Sequence, residues 1–523
     1  MAQKTIKNLM QGAVWLTLAS LLSKILSAVY RIPFQNMVGD IGFYIFQQVY
    51  PIYGIAMTLA LVGFPVIVSR MIAEEKDVTK REVIFQFSLQ VMFGVGIVFF
   101  LLIFFGADFI ARVMGDYHLT ILIRVISFAF LLMPFLASLR GFFQGHEQMM
   151  PTAVSQTIEQ LVRVVIIIAG ATGAVALGWN LYMTGAVAMS GAVIGGLGAF
   201  GTLLYFYWRK KPEKIVFTKK WASWAFTKQF LAQSIAVCTT SAMLILFQLL
   251  DSFQVYRLMR SSGIDATAAK ELKGIYDRGQ PLLQLGLVLC MGLALAIVPM
   301  ITAAKARGET RELRRSVLLI IKLTILLSGA ATLGLIAIMR PTNQMLFETA
   351  SGTGVLQVFI LSLFLSSLIV SMSSILQGFG NMAGPAVAVC IGLIVKLATN
   401  AILVPRFATY GASWSTVIGL GATLIICYIL LKRQLPIPFI RKNMIGWALL
   451  AFLAMIIVPV AWETFWPLTS RIGSAVQALF GALIGGIIFF YCLIKFNLLT
   501  KRDLVFMPFG SKLLWLTTKI RRR

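Results

Sequence analysis

The stretch QGAVWLTLASLLSKILSAVYRIPFQNMVGDIGFYIFQQVYPIYGIAMTLALVGFPVIVS (11–69) decides the fold. It holds two apolar runs, 11–33 and 42–69. A helix needs about 20 apolar residues to cross the hydrocarbon of a bilayer, and each run supplies them. The short break between them contains Asp40. The first run also carries Lys24 and Arg31, which read against a cleaved signal peptide, as does the lack of a small-residue cleavage site.

Runs of the same kind continue along the chain, at 83–106, 119–139, 152–172, 180–208, 229–254, 281–301, 316–339, 354–376, 385–404, 411–431, 444–461 and 472–494. The total is fourteen, and it predicts an all-α integral membrane protein. Composition agrees. Of 523 residues, 59% are hydrophobic and 12% charged, and the mean hydropathy is +0.87. A soluble domain is about 45–50% apolar and about 25% charged, so a soluble enzyme is excluded. Five scattered Cys without a CxxC pair, and two His, offer neither a disulfide framework nor a metal site. No GxxxxGK[ST] loop is present, which removes direct ATP hydrolysis, and no paired carboxylates mark a membrane hydrolase. No cofactor is implied. Energy would come from the membrane potential, an ion gradient of unspecified ion, or removal of product.

The net charge of +27 is first a topology signal. With the N-terminus cytoplasmic, 31 of the 46 Lys and Arg fall in cytoplasmic segments, which fits an even number of spans and both termini inside. No nucleic-acid partner is needed. The basic tail TTKIRRR is expected to lie against anionic lipid headgroups.

An internal repeat divides the chain. Pro65 and Pro299 are 234 residues apart, and each precedes a basic pair, Lys80-Arg81 and Arg314-Arg315. Gln144-Gly145 and Gln377-Gly378 are 233 apart, with Pro151 and Pro385 following. Arg163 and Lys396 are also 233 apart. The repeat predicts two six-span lobes, 1–215 and 216–435, then a further pair of spans over 436–500 and a basic cytoplasmic tail, 501–523. Six is even, so the lobes share one orientation, as rocking by alternating access requires.

Ionisable groups inside spans cost a few kcal/mol and should face protein or water. Ser20, Lys24, Ser27 and Arg31 share one face of the first span. Gln156, Glu159, Gln160 and Arg163 form a polar face on the fifth, where Glu159 and Arg163 are spaced to bridge. Lys396 and Asn400 stand four apart on the eleventh. Lys24, Arg31, Arg163, Lys396, Glu159 and Asn400 are therefore the cavity candidates. Arg70, Asp251 and Lys322, nearer span ends, are gating or coupling candidates. Cations outnumber anions, so the cavity would attract an anionic, amphipathic substrate such as a phosphate or pyrophosphate headgroup on a lipid. Gly191, Gly195 and Gly198 on the sixth span allow close helix contact. The segment 257–279 reads as a short amphipathic helix over the cavity mouth. The aromatic residues, 12% of the chain, read as lipid-facing bulk and interface belts.

Three segments carry a family resemblance: GAVWLTLASLLSKILSAVYRIPFQNMVGDIGFYIFQQVYPIYGI (12–55), LRGFFQGHEQMMPTAVSQTIEQLVRVV (139–165) and SSILQGFGNMAGPAVAVCIGLIVKL (373–397). With them the chain resembles the polysaccharide-biosynthesis, stage V sporulation protein B-like branch of the multidrug/oligosaccharidyl-lipid/polysaccharide exporters. It looks especially like the MurJ-type lipid II flippases of Gram-positive bacteria. The resemblance implies two pseudo-symmetric lobes plus two helices that can form a lipid-accessible groove. It implies a non-enzymatic transporter of the bacterial cytoplasmic membrane that flips undecaprenyl-pyrophosphate-linked glycans, lipid II first among them, alongside the cell-wall synthesis machinery. It also implies roles for span-one arginines and a following acidic residue, which here are Arg31 and Asp40; the other span-one position holds Lys24. A teichoic acid, capsule or exopolysaccharide precursor, a cation-coupled multidrug exporter and a non-transporting envelope-assembly protein are the alternatives.

Overall fold

The computed structural model describes residues 21–210, 221–288, 310–435, 442–496 and 498–499. The first half of the first run, most of the 209–228 link, the later part of the eighth run with Pro299, and the basic tail lie outside the described residues. Among those described, every regular element is helical.

The opening stretch folds as a helical hairpin. Helix α1 (21–29) leads into α2 (Arg31–Thr58), which breaks at Gly39, where φ is 68° and ψ −175°. That region strains any residue with a Cβ. Arg31 and Tyr50 would lie about 28 Å apart along an unbroken helix. Instead the Arg31 guanidinium carbon stands 4.2 Å from the Tyr50 ring centroid, and the Phe34 and Phe46 rings are 4.8 Å apart. The chain therefore reverses at Gly39, and the two apolar runs are antiparallel neighbours.

A π-helical turn, Leu59–Gly63, joins α2 to α3 (Phe64–Glu74), and Pro65 sits in the first turn of α3, where a missing N–H costs nothing. Helices α4 (Val78–Phe105), α5 (Ala107–Met114), α6 (Thr120–Gly145), α7 (Met149–Ala176) and α8 (Leu181–Lys210) follow. Asp77 caps α4 by accepting from the Thr79 N–H at 2.9 Å. Helices α9 (Trp224–Ser241) and α10 (Met243–Ser261) meet at 74° and are long and apolar enough for a span only as a pair. The expected helix in 257–279 is α11 (Ala266–Asp277), capped by Asp265; α12 (279–288) opens the eighth run.

Then come α13 (Thr310–Ala337), α14 (Met339–Phe347), α15 (Thr353–Gly378), α16 (Ala383–Gln434), α17 (Lys442–Phe465) and α18 (Arg471–Lys495). Helix α16 is a second hairpin. Ala408 has φ 46° and ψ −126°, and a Cβ on Gly392 would lie 1.9 Å from Thr423 Oγ1, across the two arms.

Among the described residues, ten helices are long and apolar enough to cross a membrane, and the bent α9–α10 pair makes eleven. Two of the ten, 54 and 52 residues long, contain the hairpins. Counting their arms separately, and adding the run opened by α12, fits fourteen. The chain is an all-α, multi-pass membrane protein.

By internal contact it divides into two compact units, Met1–Pro281 with Leu393–Ala412, and Leu282–Gly392 with Ser413–Arg523. In the second unit, α17 and α18 pack where Gly485 approaches the Met455 carbonyl. A cleft of about 430 Å³ there is lined by Ile336, Arg340, Gln357, Val460 and Glu463. Lys322 is half-buried on α13.

Candidate functional site

Six basic side chains are buried among the described residues: Arg31, Arg140, Arg163, Lys273, Arg278 and Lys396. All six belong to the first unit. A buried charge is tolerated when paired, and four of them are. Arg140 Nη2 lies 2.7 Å from Glu159 Oε2, and Lys273 Nζ 2.6 Å from Asp277 Oδ1. Arg278 Nη2 lies 2.7 Å from Asp40 Oδ1, and Lys396 Nζ 2.8 Å from Asp251 Oδ2. Among the described residues, Arg31 and Arg163 have no carboxylate partner.

Arg163 is bonded to neutral groups. Nη1 donates to the Tyr53 hydroxyl at 2.9 Å, and Nη2 to Ser27 Oγ at 3.1 Å and Gln160 Oε1 at 2.5 Å; Nε is unpartnered. The expected Glu159–Arg163 bridge is not made. Arg140 arrives from α6 and takes the Glu159 carboxylate, and the Tyr53 hydroxyl stands between Glu159 and Arg163, donating to Glu159 Oε1 at 3.4 Å. Arg140 lies one residue beyond the fourth apolar run, so span limits drawn on hydropathy leave it out.

Helix α8 sets the position of Arg163. A Cβ on Gly195 would fall 2.7 Å from the Glu159 carbonyl oxygen and 3.2 Å from Arg163 Cβ. Gly195→Leu should therefore push α7 outward, at a cost of roughly 1–3 kcal/mol for overpacking. The expected result is a lowered unfolding temperature and lost transport with every charge intact; unchanged transport in that variant would separate Arg163 from function.

Arg31 is wholly buried, and among the described residues none of its three guanidinium nitrogens has a hydrogen-bond partner. Tyrosine rings surround it. Its guanidinium carbon is 4.2 Å from the Tyr50 centroid and 6.0 Å from that of Tyr30. The Arg163 carbon is 5.5 Å from the same Tyr30 centroid and 5.2 Å from that of Tyr53. The two guanidinium carbons thus lie within about 11.5 Å of each other, close enough for one polyanionic group to contact both. Cation–π contact is worth about 2 kcal/mol when desolvated, less than the several kcal/mol an unpaired buried ion costs. Positive potential is therefore concentrated at this pair. Tyr30, Tyr50 and Tyr53 are buried against the two guanidinium groups rather than serving as lipid-facing bulk. The available signal was their placement, Tyr30 beside Arg31 and Tyr50 and Tyr53 one helical turn apart.

Lys396 meets Asp251, not an empty cavity. Asp251 also accepts from the Tyr276 hydroxyl at 2.7 Å and from Asn400 Nδ2 at 3.2 Å. Lys396 and Asn400, candidates from one helix face, converge on a gating candidate from another helix. Asp40, at the hairpin turn, accepts from Gln35 Nε2 at 2.9 Å and from Arg278 at two nitrogens. Helix α11 approaches so closely that a Cβ on Gly274 would lie 2.1 Å from the Asp40 carbonyl. Its Lys270 pairs with Asp116 at 3.0 Å. Burial pushes the Asp277 carboxyl up to about 6, against the pull of Lys273, so α11 carries its full set of ion pairs only above mildly acidic pH. No motif announced Lys273, Asp277 or Arg278.

The remaining candidates stand apart. Lys24 is exposed on α1. Arg70 is exposed, 2.8 Å from Glu74, beside a polar pocket of about 300 Å³ that includes Gln229 and Gln233. Lys322 lies in the second unit.

Residues 9–305, more than half of the chain, match the polysaccharide biosynthesis protein family. The chain belongs to that family. The membrane protein YabM of Bacillus subtilis (strain 168) is 40% identical over 514 residues, covering 96% of this chain and 95% of YabM. Lipid II flippase MurJ of the same organism is 26% identical over 526 residues, covering 94% and 96%. Among solved structures, lipid II flippase MurJ in an inward closed conformation aligns with TM-score 0.65 and 14% identity, over 92% of this chain and 100% of that one. An inward-facing MATE multidrug resistance transporter of the MOP superfamily aligns with TM-score 0.67 and 15% identity, over 79% and 94%. This member of the polysaccharide biosynthesis family therefore has the MurJ/MATE transporter fold. That fold serves both lipid-linked substrates and drugs in its relatives, so it does not select a substrate.

Proposed function

We propose that the protein flips an undecaprenyl-pyrophosphate-linked cell-wall precursor, lipid II first among them, from the inner to the outer leaflet of the bacterial cytoplasmic membrane. The observation that carries this reading is the pair of buried guanidinium groups, Arg31 and Arg163, left without carboxylates. Two uncompensated cations repel a cationic drug and attract a diphosphate. Arginine adds a planar fork suited to phosphate oxygens.

In this reading Lys24 meets the headgroup first and Arg31 and Arg163 hold the diphosphate. Glu159 and Arg140 keep Arg163 in place through Tyr53. Lys396, neutralised by Asp251, acts on position rather than on substrate. The lobes 1–215 and 216–435 rock, with the Asp40–Arg278 and Asp251–Lys396 pairs, Arg70 and Lys322 as gating elements. Both termini are cytoplasmic, and anionic lipids hold the basic tail. A membrane potential of 100 mV is worth about 2.3 kcal/mol per charge moved, enough to bias a site carrying two free cations.

A second reading, another prenyl-linked glycan of the envelope, is favoured by one observation: identity to YabM exceeds identity to MurJ. One experiment separates them. Purified protein in liposomes is given fluorescent lipid II, or the same carrier bearing a teichoic acid or capsule-type sugar, with and without an imposed potential. Movement of lipid II that is lost in Arg163→Gln supports the first reading. Movement of another carrier alone moves the assignment to the second, and movement of none by folded protein rejects both.

A further inference from the structure

Beside Arg31 the first unit holds buried amide groups that the protein itself leaves unsatisfied. Gln47 is wholly buried, and among the described residues neither its Oε1 nor its Nε2 has a hydrogen-bond partner. Gln48 donates from Nε2 to the Ser252 carbonyl at 2.6 Å, but its Oε1 is unpartnered. Gln248, one turn before Ser252 on α10, has an unpartnered Nε2, and the Tyr30 hydroxyl is unpartnered too. Each such group costs about 1–3 kcal/mol when buried dry. Leucine or methionine would fill the same volume without that cost.

The placement is specific. Gln47 precedes Tyr50 by one turn of α2, so the two share a face, and the Tyr50 ring covers the Arg31 guanidinium at 4.2 Å. The bond from Gln48 to Ser252 ties that stretch of α2 to the turn of α10 next to Gln248. The amides are neutral and offer donors and acceptors together. Phosphate oxygens accept only and are already served by arginines. Hydroxyl and acetamido groups both donate and accept, which is what the amides match.

We infer that Gln47, with Gln48 and Gln248, forms a neutral subsite that hydrogen-bonds the sugar carried on the diphosphate, a carbohydrate with hydroxyl and acetamido groups. The inference rests on the anion reading of Arg31 and deepens it.

The test uses the full-length protein in nanodiscs and two probes, a short-chain prenyl diphosphate with and without one N-acetylhexosamine. In the native protein the sugar should tighten binding about tenfold or more, the worth of one or two hydrogen bonds. Gln47→Met should remove that increment, leave sugar-free affinity within about twofold, and unfold no earlier than the native protein. Gln248→Met, on another helix, should lower the same increment. Equal affinity for both probes in the native protein overturns the subsite and leaves the anion site standing. A sugar increment that survives Gln47→Met, or a Gln47→Met protein that fails to fold, also overturns it. Binding of neither probe removes the anion site, and the subsite with it.

Discussion

Replacing Arg31 by glutamine is expected to abolish transport and, in the same protein, to raise the unfolding temperature. The two effects have one cause. Arg31 is wholly buried and, among the described residues, its three nitrogens are unpartnered and its guanidinium lies against the Tyr50 and Tyr30 rings. An unpaired buried ion costs several kcal/mol, and desolvated cation–π contact returns about 2. Removing the charge should stabilise the empty protein by about 1–3 kcal/mol on that balance. A lost charge-assisted contact to phosphate is worth about 1.5–3 kcal/mol, so substrate affinity should fall about 10- to 100-fold, and transport with it. Arg31→Lys should recover part of the loss, because it restores the charge without the fork. Thermal unfolding and lipid movement measured on the same preparations check both halves. Lower stability together with lost transport would mark Arg31 as a structural brace.

The second large effect concerns Asp251. Its carboxylate, on α10, holds Lys396 and Asn400 of α16 and Tyr276 of α11. Asp251→Ala strands a buried ammonium and should destabilise the protein by about 3–5 kcal/mol. Lys396→Met strands the carboxylate less severely, because Tyr276 and Asn400 still donate to it. The double variant Asp251→Asn/Lys396→Met removes both charges and should recover most of the stability. Transport is expected to stay low in the double variant, since a pair kept for switching contributes more than packing. Recovery of stability and transport together would make the pair a replaceable brace.

How far the sequence could be read depended on range. Hydropathy located the spans because bilayer thickness fixes their length, and Gly39 marks its hairpin because only glycine accepts that backbone. Gly195 was legible too, as a small residue on the helix that presses on Arg163. The repeat singled out Arg163 and Lys396, yet their environments differ: one is bonded to neutral groups, the other to a carboxylate 145 residues away. Such a pairing leaves no local signal. Arg140 was hidden by its position at a span end, and with it the true partner of Glu159. Tyr30, Tyr50 and Tyr53 were hidden by abundance, since aromatics are common in any membrane protein. Charge surplus, counted from sequence, exaggerated the cavity's field; once partners are assigned, it narrows to two arginines.

The most direct measurement is equilibrium binding of inorganic diphosphate to the purified full-length protein, native, Arg31→Gln and Arg163→Gln, over a range of salt. One saturable site that weakens about tenfold or more in each variant, and weakens as salt rises, is the predicted result. Binding that survives both substitutions, or no binding by folded native protein, would contradict the claim that these two arginines form an anion site.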